Sequence, residues 1–299
     1  MSATTGLPPA ARRRSPLARL AWSDYWSAVG LPGLIFVILA FGVPVLVIVV
    51  KSLTDPSPAN YSAIFDSGIY RQSVGNTVQM ALVVTGLCLL LGYPYAYVMA
   101  RSGRILRTTL MVALMLAFWT SLLVRTYSWQ ILLNDTGVVN QALMEWLGVV
   151  DEPIHMIRTK FAVYVGMVHI LLPYSVLALY AQLRAIDPDL ERAARGMGAR
   201  PWQAFWRVTW PLSLPGAVAG SVLVFVLALG FYITPQMLGG AQNIYIGQAI
   251  VLQVEEFLKP GVGAAMAVLL FAVVLVVLGI AARFVGLGRI LGIGEGRGK

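Results

Sequence analysis

Charge is scarce in this 299-residue sequence: 12% of its residues are Asp, Glu, Lys or Arg, while 58% are hydrophobic. Soluble proteins carry about a quarter charged residues, so a soluble globular domain is excluded. Cysteine is nearly missing. The single Cys88 sits in an apolar run, which rules out a disulfide framework within one chain and marks it as a small buried filler. Histidine occurs only at positions 155 and 169, which leaves little for a His-based metal site or a catalytic triad. His169 reads as a satisfied core histidine. No Gly-x-x-x-x-Gly-Lys-Ser/Thr loop and no His-Glu-x-x-His occur, so phosphate cradling and zincin chemistry are absent from the sequence.

Long apolar runs are what the sequence does have. A spanning helix needs about 20 apolar residues to cross roughly 30 Å of hydrocarbon. Six stretches meet that length: Leu31 to Val50, about Thr77 to Ala100, Thr108 to Val124, about Phe161 to Gln182, Pro215 to Met237, and about Gly261 to Ala282. The third ends in Arg125, Tyr127 and Trp129, a snorkelling aromatic end suited to the membrane interface. These cores hold no Asp, Glu, Lys or Arg. A proton- or sodium-coupled carrier usually keeps an ionisable group at depth as its coupling element, so the pattern argues against a secondary transporter. The energy source is then unexplained unless another subunit supplies it.

The net charge of +9 raises nucleic acid as a partner, and the positions of the charges decide against it. With six spans, 16 of the 22 Lys and Arg residues fall on the side that holds both termini. Cytoplasmic loops retain positive charge, so both termini are expected in the cytoplasm. An arginine cluster before the first run imitates a signal peptide, but no small-residue cleavage site follows, and the run reads as a retained first span. The expected organisation is a cytoplasmic arm over residues 1–29, a six-helix domain over 30–285, and a cytoplasmic tail over 286–299. Trp22 to Trp26 is where the arm is expected to meet the interface.

Several features interrupt the spans. Pro44, Pro94 and Pro173 lie inside them and favour kinks. The stretch Phe231 to Gly240 is aromatic and then Pro/Gly-rich, which predicts a helix break and a backbone that folds back. Gly216 and Gly220 form a small-xxx-small pair that lets another helix approach, within the same bundle or from another subunit. On the outward side, Val138 to Leu147 has the apolar spacing of a short helix lying against the membrane face.

The loop from Leu183 to Leu214 is the most informative segment. Asp187-Pro188 is a helix start, with Asp as N-cap and Pro at the first helical position. A helix over Pro188 to Met197 places Leu190, Ala194 and Met197 on one narrow apolar face. Gly198 supplies a C-terminal turn with positive φ. Pro201 opens a second short helix in which Trp202, Phe205 and Trp206 are expected on one side, and Trp210-Pro211 leads into the fifth span. Two readings fit this helix-turn-helix: a knob for a groove in a soluble partner, or an amphipathic loop on anionic lipid.

The segment Leu190-Glu191-Arg192-Ala193-Ala194-Arg195-Gly196-Met197-Gly198, with Val208-Thr209-Trp210-Pro211 after nine intervening residues, resembles the EAA loop of permease subunits of binding-protein-dependent ABC importers. Ala193, Ala194, Gly198 and Pro211 match that pattern. Arg192 stands where the family has Glu, Val208 where it has Ile, and Trp210 where it has Leu. The resemblance runs from about Gly92 to Leu270. Phe118-Trp119-Thr120, Arg125-Thr126-Tyr127-Ser128-Trp129, the region 134–148 and Phe231 to Gly240 look like the spermidine/putrescine branch. Related permeases carry organophosphonates, opines or ferric iron.

The resemblance implies an all-α, six-helix type I importer permease (MetI-like) fold, with no catalysis by this chain. It implies partners: an ABC ATPase dimer that holds ATP and Mg, a second permease subunit and a periplasmic solute-binding protein, in a bacterial inner membrane. Leu190, Glu191, Arg192, Ala193, Ala194, Met197, Gly198, Ala199 and Trp202 are then the ATPase-coupling residues. Trp119, Tyr127, Trp129, Tyr232 and Pro235 are candidate pathway residues, because a cation can be held over aromatic faces. Most of these aromatics also suit interface anchoring. The outward acids Asp135, Glu255 and Glu256 are candidates for guiding a cation or engaging the binding protein. A passive channel is the rival reading, and it needs no cytoplasmic knob.

Overall fold

A computed structural model describes the backbone of residues 25–285 and the side chains of residues 30–283. The expected tail (286–299) and the arm up to residue 24 lie outside the described residues, as does Trp22. All regular structure among the described residues is helical. The described residues up to Val50 belong to one compact unit and those from Lys51 to a second. The first holds most of α1 (Tyr25–Thr54), an apolar helix with Pro32 and Pro44 inside it and a mean hydropathy of 3.1 in its most apolar window.

The second unit contains α2 (Asn60–Asp66), α3 (Gly68–Arg101), α4 (Arg104–Trp119), α5 (Leu122–Leu132), α6 (Val138–Gln141), α7 (Lys160–Ala185), α8 (Pro188–Gly196), α9 (Pro201–Ala204), α10 (Trp210–Leu229), α11 (Ile233–Leu238), α12 (Ile246–Val251) and α13 (Pro260–Val285). Across the two units, five helices are long and apolar enough to cross a membrane, and the bent pair α4–α5 makes a sixth candidate span. The predicted fourth and sixth spans match α7 and α13 to within three residues.

Three spans of the second unit differ from expectation. Helix α3 starts at Gly68, nine residues before Thr77, because the polar stretch 68–76 continues the helix above the apolar core. The expected third span is not one straight helix: α4 and α5 meet at 93° across Thr120-Ser121, the geometry of a broken span or a re-entrant loop. There Thr120 Oγ1 donates to the Leu116 carbonyl at 2.8 Å, the i−4 back-bond that competes with the helical ladder, and the backbone turns extended. The fifth span begins earlier and stops earlier than expected. Residues 201–229 run on through a turn of π-helix (Phe205–Thr209) into α10, and the helix ends at Gly230 rather than Met237. The expected break follows at Phe231-Tyr232, after which α11 starts afresh.

Helices α3, α7 and α10 form the packed centre. Small residues bring them together. A Cβ at Gly216 would overlap the Gln182 side chain, and one at Gly220 would lie 3.3 Å from Ala178 Cβ, so both glycines serve α7–α10 packing inside this chain. In a bilayer the lipid tails are as apolar as Leu, so hydrophobic transfer does not hold helices together; close dispersion contact does. Met80, Met167, Leu171, Leu179 and Leu183 are fully buried in that centre. Phe271, Leu275, Val276 and Ile280 of α13 face outward, a surface stable in hydrocarbon and a liability in water.

Candidate functional site

The helix-turn-helix expected after the fourth span is present at the end of the bundle where α3 ends in Arg101 and α7 in Ala185. Asp187 Oδ1 accepts from the Asp189 amide at 2.9 Å, and Pro188 opens α8, as the N-cap pattern requires. Helix α8 ends at Gly196, with Met197 at the cap and Gly198 beyond it at φ +90°. The Ala199 amide donates to the Ala194 carbonyl at 3.1 Å, and the Gly198 amide to Arg195 at 3.0 Å. That pair of bonds is a Schellman ending, and glycine carries it because side chains resist positive φ. Pro201 then starts α9, and the Arg200 amide donates to Gln203 Oε1 at 2.9 Å.

The turn leaves the predicted apolar face open. Leu190 and Met197 are exposed, Met197 at 84%, and Ala194 is half-buried. A cleft of about 400 Å³ lined by Ala194, Met197, Gly198, Ala199, Gln203 and Arg207 lies between α8 and α9. Ala193 is exposed, and so is Trp202. The expected stack of Trp202 with Phe205 and Trp206 does not form. Phe205 turns inward and meets Tyr93 and Tyr97 edge-on, at ring-centroid separations of 5.9 and 5.5 Å, while Trp206 packs on Phe205 and Trp210. The π turn sets these directions, and Trp202 is left on the outer side.

Glu191 and Arg192 take opposite roles. Arg192 points outward, 76% exposed, and pairs with Asp189 at 2.7 Å. Exposed pairs of this kind contribute at most about 1 kcal/mol. The Glu191 carboxylate points into the bundle and is only 19% exposed. Its Oε2 accepts from Thr209 Oγ1 at 3.0 Å and lies 3.6 Å from Arg101 Nη2; its Oε1 lies 3.5 Å from the Tyr97 hydroxyl. Sequence reading missed Tyr97, Arg101 and Thr209. The available signal was a phenol and a guanidinium one turn apart at the end of a span, facing a loop that carries a carboxylate.

The five pathway candidates do not converge on one site. Trp119 stands at the α4–α5 break, 84% exposed, and Tyr127 is also exposed. Trp129 is held inside the bundle: its Nε1 donates to His169 Nδ1 at 2.9 Å, with the rings edge-on. His169 thus has the satisfied partner expected of it. Pro235 is buried in α11, beside Thr234, whose hydroxyl meets that of Thr126 at 3.1 Å. Tyr232 lines a pocket of about 350 Å³ with Gln236, Gln248, Glu255 and Glu256. Asp135 is elsewhere, bonded to His155 at 2.8 Å.

The described residues thus form a bundle of apolar helices that carries a capped protrusion with an open apolar face on one end. Residues 89–286 match the binding-protein-dependent transport system inner membrane component family, and the chain belongs to that family. It is similar to the spermidine/putrescine transport system permease protein PotB of Salmonella typhimurium strain LT2, 39% identical over 211 residues, 71% of this chain and 73% of that protein. The Escherichia coli K12 protein of the same name is 38% identical over 211 residues, 71% of this chain and 76% of the other. The fold is that of a bacterial alginate ABC transporter solved in complex with alginate pentasaccharide-bound periplasmic protein. That likeness has a TM-score of 0.69 at 19% identity and covers 89% of this chain and 94% of that one.

Proposed function

We infer that this chain is a membrane-spanning subunit of an ATP-driven importer for polyamines, coupled through the α8–α9 knob to a separate ATPase. The observation that carries this reading is the knob itself. Its Schellman turn fixes the shape, its Leu190–Met197 face is bare, and its base is tied into the bundle by Glu191. A loop built to lie on anionic lipid needs no such internal tie. Membership of the transport family sets the passive-pore reading aside. The arginine-rich end, on this reading, is cytoplasmic, in line with the positive-inside rule. ATP and Mg belong to the docked ATPase dimer, and a second permease subunit and a periplasmic binding protein complete the assembly.

The polyamine assignment rests on the relatives' names and on the Tyr232 pocket. An aromatic face, two amides and two carboxylates suit a linear diammonium better than an anion. Alternating access follows if ATPase closure moves the knob as a rigid body and rocks α7 and α10 against α3. The test is uptake of radiolabelled putrescine and spermidine into proteoliposomes that hold the complete importer and its receptor. ATP-dependent accumulation supports the assignment. Accumulation of an organophosphonate, opine or ferric complex, with neither polyamine carried, overturns it.

A further inference from the structure

We propose that Glu191 is the positioning residue that delivers movement of the knob to the spanning helices, with Arg101 as its latch. The proposal rests on the reading that the knob docks an ATPase.

Arg192, Arg195 and Arg200 point outward and tie the knob to no spanning helix by any ion pair among the described residues. Glu191 is different. It is the one α8 side chain among them whose hydrogen bonds or ion pairs reach α3, through Tyr97 and Arg101, and also the foot of α10, through Thr209. Thr209 is fully buried and sits in the π turn, where the ladder is widened by one residue and is easier to reshape than straight helix. Beside the backbone path through α9 into α10 and the packing of Phe205 on Tyr93 and Tyr97, this one carboxylate gives α8 a direct polar link to both α3 and the foot of α10.

The link to Arg101 is slack. At 3.6 Å the Nη2–Oε2 pair is longer than the 2.7–3.2 Å of an N–H···O hydrogen bond. Both Nε and Nη2 of Arg101 are buried and lack a well-formed hydrogen bond. A guanidinium offers its donors as a rigid fork, and leaving buried donors empty is unfavourable. A shift of Glu191 by about 0.7 Å along the Nη2–Oε2 line would bring that pair to ordinary hydrogen-bond length. The carboxylate is thus held by Thr209 in this state and poised to be held by Arg101 in another. Arg101 is also the last residue of α3, so the latch acts on the end of the spanning helix.

The test compares uptake with hydrolysis in one preparation of the complete importer in proteoliposomes. Glu191→Ala is expected to keep the ATPase bound and hydrolysing while solute accumulated per ATP falls about ten-fold, the scale of one lost charge-assisted link. Glu191→Asp is expected to recover part of the ratio, and Arg101→Gln to lower it without changing ATPase binding. An unchanged ratio in Glu191→Ala overturns the proposal. So does loss of the ATPase from that variant, which would make Glu191 a support for the knob's shape alone. Leu190→Asp with Met197→Asp tests the docking reading separately: that pair is expected to release the ATPase. Retention there would defeat docking at this face, whatever Glu191 does.

Discussion

Gly198 offers the sharpest perturbation of the knob, because its structural cost is confined to the backbone. A Cβ built there meets nothing within 4 Å, so Gly198→Ala creates no clash inside the chain. What it meets is φ +90°, a region that costs an L-residue roughly 1–2 kcal/mol. The chain either bears that strain or opens the turn, losing the Ala199–Ala194 and Gly198–Arg195 bonds. Either way the docking shape is less populated by a factor of about 5–30, and apparent affinity for the ATPase falls by the same factor. Asn tolerates positive φ better than Ala, so Gly198→Asn is expected to bind between wild type and Ala. Gly198→Asp shares the backbone tolerance but places a charge at the docking face, and it is expected to bind worst and to abolish transport. Titration of detergent-solubilised permease with the ATPase, by interferometry, measures all three. Equal affinities for wild type, Ala and Asp would refute the reasoning.

Two further outcomes follow from packing. Gly216→Leu forces a side chain into Gln182 and disturbs the Gln182 Nε2 bond to the Leu212 carbonyl (3.0 Å), so thermal unfolding in detergent should show a loss of about 1–3 kcal/mol. His169→Leu strips the acceptor from the Trp129 indole and should cost about 1–3 kcal/mol by the same assay, whereas His169→Gln, which keeps an acceptor, should cost less.

How far the sequence could be read depended on the range of each interaction. Spans were legible because hydrocarbon thickness fixes their length, and both ends of α8 were legible because caps are local: Asp187-Pro188 at one end, Gly198 at the other. The bend at Thr120-Ser121 was hidden inside an uncharged run, since composition registers hydropathy and not a side-chain bond to the backbone. The early start of α3 was hidden for the opposite reason, a polar stretch that helix propensity alone does not exclude. At the site, the assignment of Glu191 and Arg192 turned on which face of α8 meets the bundle. The partners that settle it, Tyr97 and Thr209, lie 94 and 18 residues away. Tyr232 and the Glu255–Glu256 pair were each noticed in the sequence, but only the fold of residues 230–256 brings them to one pocket.

Met197 provides the most direct test of the account, because it is exposed on the proposed docking face while Cys88 is buried. A photoactivatable maleimide on Met197→Cys, in inside-out vesicles from cells that express the whole importer, should form an adduct with the ATPase polypeptide that disappears when the apolar face is charged. Labelling only from the opposite membrane surface, or adducts with lipid alone, would contradict the claim that this protrusion is the seat of the energy-supplying subunit.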